Sequence, residues 1–445
     1  MDKFDAIIIG GGPAGYHAAM ELSKNGKAVV VVEASGLGGT CLHRGCIPTK
    51  SLLYCAKHIE RNYDEKLINS KKKSDIQRLY KGLKYQIQQC GVKIIQGRGK
   101  LTSDREKNNL VCIEVDKEKY YADYVIITTG SDYKNLDIKG VQEAIALKRA
   151  VYSDAFLELE KYPDNITIIG AGVVGIEFAS FLNMIGKKVC ILESQKYILS
   201  GMLDDDVNAL FIQELVRRGI EIITDIYIEE VDNSSVIYKK NNEYEEYTSD
   251  LIVIASGRKA NIEDIGLESA EVAVDAGYIW VDEHCCTSDK KIYACGDVIG
   301  KSMLAHSAYR EAEVAVDNIC GKDQKMDYSA IPITVYSNPE IATAGKTENE
   351  LRKDKIKYYV KKKSMLYSSR YSIEHSEFPG LCKLIFDDTG VLVGAQMVGN
   401  GSSEIVFTLA DMILTSQTER DIRNEIFPHP SIIEIIKETA CSEPC

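Results

Sequence analysis

Phe4-Asp5-Ala6-Ile7-Ile8-Ile9-Gly10-Gly11-Gly12-Pro13-Ala14-Gly15 is a short apolar run that breaks into glycine, and it is echoed by Asn165-Ile166-Thr167-Ile168-Ile169-Gly170-Ala171-Gly172-Val173-Val174-Gly175. The echo continues: Gly26-Lys27 returns as Gly186-Lys187, and Glu33 returns as Glu193. Each copy reads as a buried strand, a G-x-G-x-x-G turn, an apolar helix and a second β-branched strand ending in a carboxylate. That is the dinucleotide-binding βαβ layout. Gly10, Gly12 and Gly15, and again Gly170, Gly172 and Gly175, permit a tight turn and bring backbone close to a pyrophosphate at a helix N-terminus. The acid about 20 residues on, Glu33 or Glu193, suits ribose hydroxyls. One Gly-rich turn can be chance; two with strand, helix and acid in register argue for a repeat.

Composition bounds the rest. The 445 residues allow two to four cores at roughly 100–200 residues each. With 45% hydrophobic and 27% charged residues the chain reads as an ordinary folded enzyme. A formal charge of -12 would repel phosphate backbones and anionic lipid, so no nucleic-acid or membrane partner is expected. No run approaches the ~18 apolar residues of a membrane helix, and Met1-Asp2-Lys3 leads into a strand with no signal-peptide layout, so the expected location is cytoplasmic. Thirteen scattered cysteines imply reduced thiols rather than a disulfide framework.

Between the repeats, Ile76, Leu79, Tyr80, Leu83 and Ile87 predict a helix over 75–88, preceded by Lys71-Lys72-Lys73 as a solvated loop. Tyr124 to Gly130 and Leu251 to Gly257 predict strands ending in Thr-Thr-Gly-Ser and Ala-Ser-Gly-Arg. Beyond about residue 326, strands at Cys382 to Phe386 and Val391 to Val398 and a helix at Ser403 to Thr415 predict a third, α+β domain. No metal site is indicated.

Downstream of the first dinucleotide acid lies Gly39-Thr40-Cys41-Leu42-His43-Arg44-Gly45-Cys46-Ile47-Pro48-Thr49-Lys50. Pro48 suits the first turn of a helix, which puts Cys46 at its N-terminus, where the dipole favours thiolate. Two buried reduced cysteines are the plainer reading of most such pairs, but the position after a nucleotide fold favours a redox centre.

With these motifs the chain resembles the flavin-dependent disulfide reductases over essentially its full length, and within them most closely the dihydrolipoyl dehydrogenases. The resemblance implies an α/β architecture: two Rossmann-like dinucleotide-binding domains, for FAD and NAD, and a C-terminal α+β dimerisation domain. The expected boundaries are 1–145 and 263–325 for FAD, 146–262 for NAD and 326–445 for dimerisation. Cys41 would be the interchange thiol and Cys46 the thiol beside the flavin; Lys50 would approach flavin N5 and pair with Glu177. Asp297, in Ala294-Cys295-Gly296-Asp297, is expected on the ribityl chain, with Gly130 and Ala305 also at FAD and Gly257 at NAD. Phe427-Pro428-His429-Pro430-Ser431-Ile432-Ile433-Glu434 resembles the family's base motif, in which His429, held by Glu434, serves the disulfide of a partner subunit. A homodimer with shared active sites follows from the resemblance.

Met303-Leu304-Ala305-His306 resembles the lipoyl-type sequence, where glutathione and thioredoxin reductases usually carry Thr-Pro, and the His-Pro dyad argues against a mercuric reductase. Glu193 would repel a 2′-phosphate and favours NAD; Lys196 argues weakly the other way. The expected reaction is oxidation of dihydrolipoyl groups with reduction of NAD⁺, the lipoyl group arriving on a separate protein of a multienzyme complex. Two departures keep alternatives open. The region from Tyr54 to Gly91 is short for the family, and the tail Cys441-Ser442-Glu443-Pro444-Cys445 is similar to that of relatives with a second redox pair. If the helix after Pro430 runs to Ala440, Cys441 lies ~10 Å beyond Glu434, and the last four residues return at most ~14 Å. A reductase of another disulfide through this tail is therefore the weaker enzyme reading, and a non-catalytic core subunit the third. Cys285-Cys286 reads as structural.

Overall fold

The computed structural model describes residues 3–58, 64–106, 110–233 and 235–444. The chain divides into two compact units, one of residues 1–51, 66–134 and 257–327, the other of 52–65, 135–256 and 328–445.

The first unit is built around the strand Lys3–Ile9. Its apolar residues are buried on both faces, as a central parallel strand requires. It pairs in parallel with Val29–Glu33 on one side and Glu118–Ile127 on the other, Ile8 lying between Val31 and Ile126. Lys93–Gln96 extends one edge in parallel, and Ile292–Ala294, returning from far along the chain, pairs with the end of Glu118–Ile127. The strands 100–106 and Leu110–Val115 add an antiparallel hairpin to the start of Glu118–Ile127. The helices Pro13–Lys24 and Ala305–Ile319 pack against one another, burying Ala14, Ala18 and Leu22 against Ala308, Ala312 and Ala315.

The second unit holds a parallel sheet in the order Ile220–Ile223, Lys188–Leu192, Asn165–Ile169, Leu251–Ile254, Ala150–Tyr152. A three-stranded antiparallel sheet, Tyr227–Asp232, Ser235–Lys240 and Glu243–Thr248, interrupts it in sequence. The C-terminal part is an antiparallel sheet, Ile333–Val335, Ile341–Gly345, Leu392–Val398, Leu381–Asp387, Tyr358–Lys363, backed by the helices Ser402–Leu414 and Ile435–Ala440. The strands and helix expected near the C-terminus all form, within a residue or so of their expected ends.

Two expectations differ from the structure. Lys71-Lys72-Lys73 is not a solvated loop but the interior of a single helix, Glu65–Gln89, and Lys72 is only 4% exposed. Lysine is a good helix former, and its long aliphatic stem can be buried while the charge finds a partner; reading the run by charge alone missed this. The helix after Pro430 is also shorter than assumed, starting only at Ile435.

Candidate active site

The two glycine turns superimpose in their physics. Gly10 and Gly170 take φ of +108° and +105°, a region closed to other residues without strain. A Cβ on Gly15 would lie 1.9 Å from the carbonyl oxygen of Gly10, and one on Gly175 lies 2.0 Å from that of Gly170. The third glycine therefore exists to let helix and strand pack. The second is different: a Cβ on Gly12 would meet only Gly39 Cα at 3.9 Å, and one on Gly172 nothing within 4 Å. Each therefore borders open space at the mouth of a helix whose first N–H groups have no side-chain cap. That is a cradle for an anion. The acids close both turns in the same way. Glu33 accepts from the N–H of Gly11 at 2.5 Å and of Ser35 at 2.7 Å; Glu193 accepts from Ala171 at 2.6 Å and Gln195 at 2.7 Å. Lys196, the residue that could answer a phosphate, lies over the Tyr197 ring, 5.0 Å from its centroid.

Gly39 packs on Gly12, so the loop bearing the cysteines is pressed against the first cradle. Cys41 sits in the short helix Gly39–Arg44 and Cys46 opens the helix Cys46–His58, as expected, with Pro48 in its first turn. Both are thiols, hydrogen-bonded to one another. That bond, then burial, pushes the Cys41 thiol well above the ordinary range, against the opposing pull of Lys50. Tyr16 and Tyr309, hydrogen-bonded phenols on the two packed helices, are both pushed up, first by burial. Lys50 is half-buried four residues after Cys46; Glu177 is buried and accepts the Tyr336 N–H at 2.9 Å.

Asp297 follows the strand Ile292–Ala294, hydrogen-bonded by Ser131, with the Arg258 guanidinium at 3.9 Å. Arg258 also donates to the Ser131 side chain at 2.7 Å and main chain at 2.6 Å, and reaches Thr40 at 3.5 Å. In the sequence Ser131 and Arg258 stand only as strand-end residues; a charged residue directly after Ala-Ser-Gly is the one signal of this task. Gly130 and Gly257 both border open space. Ala305 opens its helix, again without a side-chain cap.

In the second unit, His429 Nδ1 and Glu434 Oε2 are 2.7 Å apart. The carboxylate is shielded while the imidazole is 69% exposed, standing off the surface with Nε2 free to meet a group brought to it. Glu434 Oε1 accepts the Ser369 N–H at 3.0 Å, which fixes the carboxylate and hence the ring. Cys441 is exposed at the end of the helix Ile435–Ala440, and Cys445 lies outside the described residues. Cys285 and Cys286 are buried.

Comparison with known proteins agrees with this layout. Residues 4–312 match the pyridine nucleotide-disulphide oxidoreductase family and residues 331–440 its dimerisation domain. The chain is 32% identical to the dihydrolipoyl dehydrogenase of Mycoplasma genitalium, over 98% of its own length and 97% of the relative's, and 30% identical to one from Bacillus subtilis over the same shares. Among solved structures it is similar to the copper(II) complex of RclA, an HOCl-induced flavoprotein disulfide reductase of Escherichia coli, with a TM-score of 0.88, 25% identity and 99% coverage of both chains. The protein is a member of the pyridine nucleotide-disulphide oxidoreductase family. FAD and NAD are the cofactors of this family, and the two uncapped, glycine-lined cradles fit their pyrophosphates.

Proposed function

We propose that the protein is a dihydrolipoyl dehydrogenase, oxidising protein-bound dihydrolipoyl groups and reducing NAD⁺ as a cytoplasmic homodimer. What carries the reading is that one chain carries both an exposed His429 held by Glu434 and the Cys41–Cys46 thiol pair. The names of the relatives support it. Residues 1–145 and 263–325 would hold FAD through Gly10, Gly12, Gly15, Glu33, Lys50, Gly130, Asp297 and Ala305. Residues 146–262 would hold NAD through Gly170, Gly172, Gly175, Glu193 and Gly257, and 326–445 would form the dimer.

In the oxidised enzyme the two sulfurs are joined. His429 of one protomer takes a proton from one substrate thiol; that thiolate attacks Cys41 as the Cys41–Cys46 bond breaks, releasing the Cys46 thiolate; the second substrate thiol attacks the substrate sulfur of the mixed disulfide and its proton passes to the departing Cys41 sulfur, so that the substrate leaves as a cyclic disulfide, Cys41 becomes a thiol and His429 keeps the first proton. FAD, when bound, supplies the two-electron route from Cys46 to NAD⁺. Lys50 would hold a positive charge beside that route. Because Cys41 resists ionisation it is released as the thiol, and the proton that has to be removed is the substrate's, which falls to His429.

A second reading, a reductase of another disulfide driven by NADH or NADPH, is favoured by the exposed Cys441 and the RclA-like fold. A substrate panel separates them: dihydrolipoamide with NAD⁺ against glutathione disulfide, oxidised thioredoxin and mercuric ion with NADH or NADPH. Turnover of dihydrolipoamide is expected to exceed the others; its absence beside rapid reduction of a protein disulfide would reject the reading.

A further inference from the structure

The segment Phe427-Pro428-His429-Pro430-Ser431 has a problem that its composition creates. Two of its five residues are prolines, without N–H groups, so the turn has few donors with which to hold itself. Within it the Ser431 hydroxyl donates to the Pro428 carbonyl at 2.5 Å, and the rest of the hold comes from outside the segment. The strongest bracing comes from more than sixty residues earlier in the chain. Ser368 is fully buried; its hydroxyl donates to the Ser431 carbonyl at 2.8 Å and accepts the Tyr371 N–H at 3.2 Å, capping the short helix Ser369–Glu374. The next residue, Ser369, donates its N–H to Glu434 Oε1 at 3.0 Å, leaving Oε2 for His429. Tyr371, itself buried, anchors the helix by donating from its hydroxyl to the Phe378 carbonyl at 3.2 Å.

We infer that Ser368 is the positioning residue of the His429–Glu434 base, its buried hydroxyl locking the proline-rich turn to the same helix start whose main chain orients the carboxylate. The inference rests on the proposed reading of His429 as a base. Two bonds from neighbouring residues fix both ends of the dyad, the main chain after His429 and the far oxygen of Glu434. The imidazole itself is largely exposed and is held through its bond to Glu434, so its direction depends on what that frame supplies. Removing the hydroxyl frees the Ser431 carbonyl and loosens the cap together, and a base displaced by about 1 Å loses much of its effect. Threonine at 368 retains the hydroxyl that makes both bonds; alanine has none.

The test uses the FAD-loaded dimer with S368A and S368T. For S368A the kcat for dihydrolipoamide with NAD⁺ should fall about tenfold to a hundredfold, with the KM for NAD⁺ unchanged. NADH oxidation by ferricyanide, which needs no thiol base, should stay within about twofold, and flavin content should match the parent. S368T should recover most of the lost turnover. A crystal structure of S368A should show the His429–Glu434 bond opened beyond hydrogen-bond distance. An S368A enzyme with parental dihydrolipoamide turnover overturns the inference, as does a parallel loss of ferricyanide activity and flavin, which marks a general structural role. If the parent itself does not oxidise dihydrolipoamide, the proposed function fails, while the crystal structure still decides the inference: a dyad unchanged in S368A rejects it.

Discussion

Cys41 carries a thiol that the protein makes reluctant to ionise, first through its hydrogen bond to Cys46 and then through burial. When both cysteines are thiols, alkylation of Cys41 by iodoacetamide should therefore be slow near neutral pH and accelerate only above the ordinary thiol range, about pH 8.5. Cys46→Ala removes the leading cause, so the pH at which Cys41 reacts should move down; a pH–rate profile followed by mass spectrometry reads it, and an unmoved profile would show that burial alone dominates. His429 serves a different proton, that of the substrate thiol. His429→Ala should lower dihydrolipoamide turnover by about 10²–10⁴, with flavin reduction by NADH intact. Of these residues the cysteines, histidine and glutamate were legible from spacing and resemblance. Ser131, Arg258 and Ser368 were not, because a serine or arginine at the end of a strand or start of a helix has the same local signature whether it faces solvent or a reacting group.

At the scale of elements, the strand Leu381–Asp387 places Lys383, fully buried, among Asp204 at 2.8 Å, Asp206 at 2.8 Å and Glu348 at 2.5 Å. Gln396 on the neighbouring strand donates to Asp204 at 3.0 Å, and Lys362 reaches Asp206 at 2.5 Å. The three carboxylates sit within ligand distance of one another, but it is the lysine ammonium that binds them. Burial works against the charge on Lys383, yet its hydrogen bonds to the carboxylates outweigh it and hold the ammonium above its usual range. Burial likewise opposes ionisation of Asp206 and Glu348, but their bonds to lysine leave both below the ordinary carboxylate range; Asp204, where burial wins, goes up. Lys383→Met strands three acids and should destabilise the fold by about 3–5 kcal/mol in thermal or denaturant unfolding. The depressed acids contribute stability above their unfolded pKa of about 4 and lose it as pH falls through their lowered values. The parent should thus lose melting temperature below about pH 4 more steeply than the methionine variant; equal slopes would assign the acid sensitivity elsewhere.

For the whole molecule, the tail and the nucleotide are what separate the readings. Ala440 is fully buried, and its carbonyl accepts from the Lys361 ammonium at 2.8 Å, so a truncation must spare it. Deleting residues 442–445 should leave dihydrolipoamide turnover within about threefold, whereas a relay enzyme would lose reduction of a protein disulfide outright. NAD⁺ should be preferred over NADP⁺ in kcat/KM, because Glu193 closes the second cradle with its carboxylate and Lys196 is engaged with Tyr197. A better constant with NADP⁺ would contradict this.

The amino-acid sequence by itself determined the two nucleotide cradles, the α+β third domain and the order of the redox loop, because each depends on glycine, proline and apolar period acting over a few residues. It could not show that Lys71 to Lys73 would be helical, because a charge run looks the same on a loop and on a helix until packing finds room for Lys72. Tertiary structure alone decided which groups hold the chemistry in place: Arg258 with Ser131 beside Asp297, Ser368 and Ser369 behind the His429 dyad, and Lys383 between three acids. Those contacts join segments far apart in the chain, and a hydrogen bond has no sequence signature until the fold brings its donor to its acceptor.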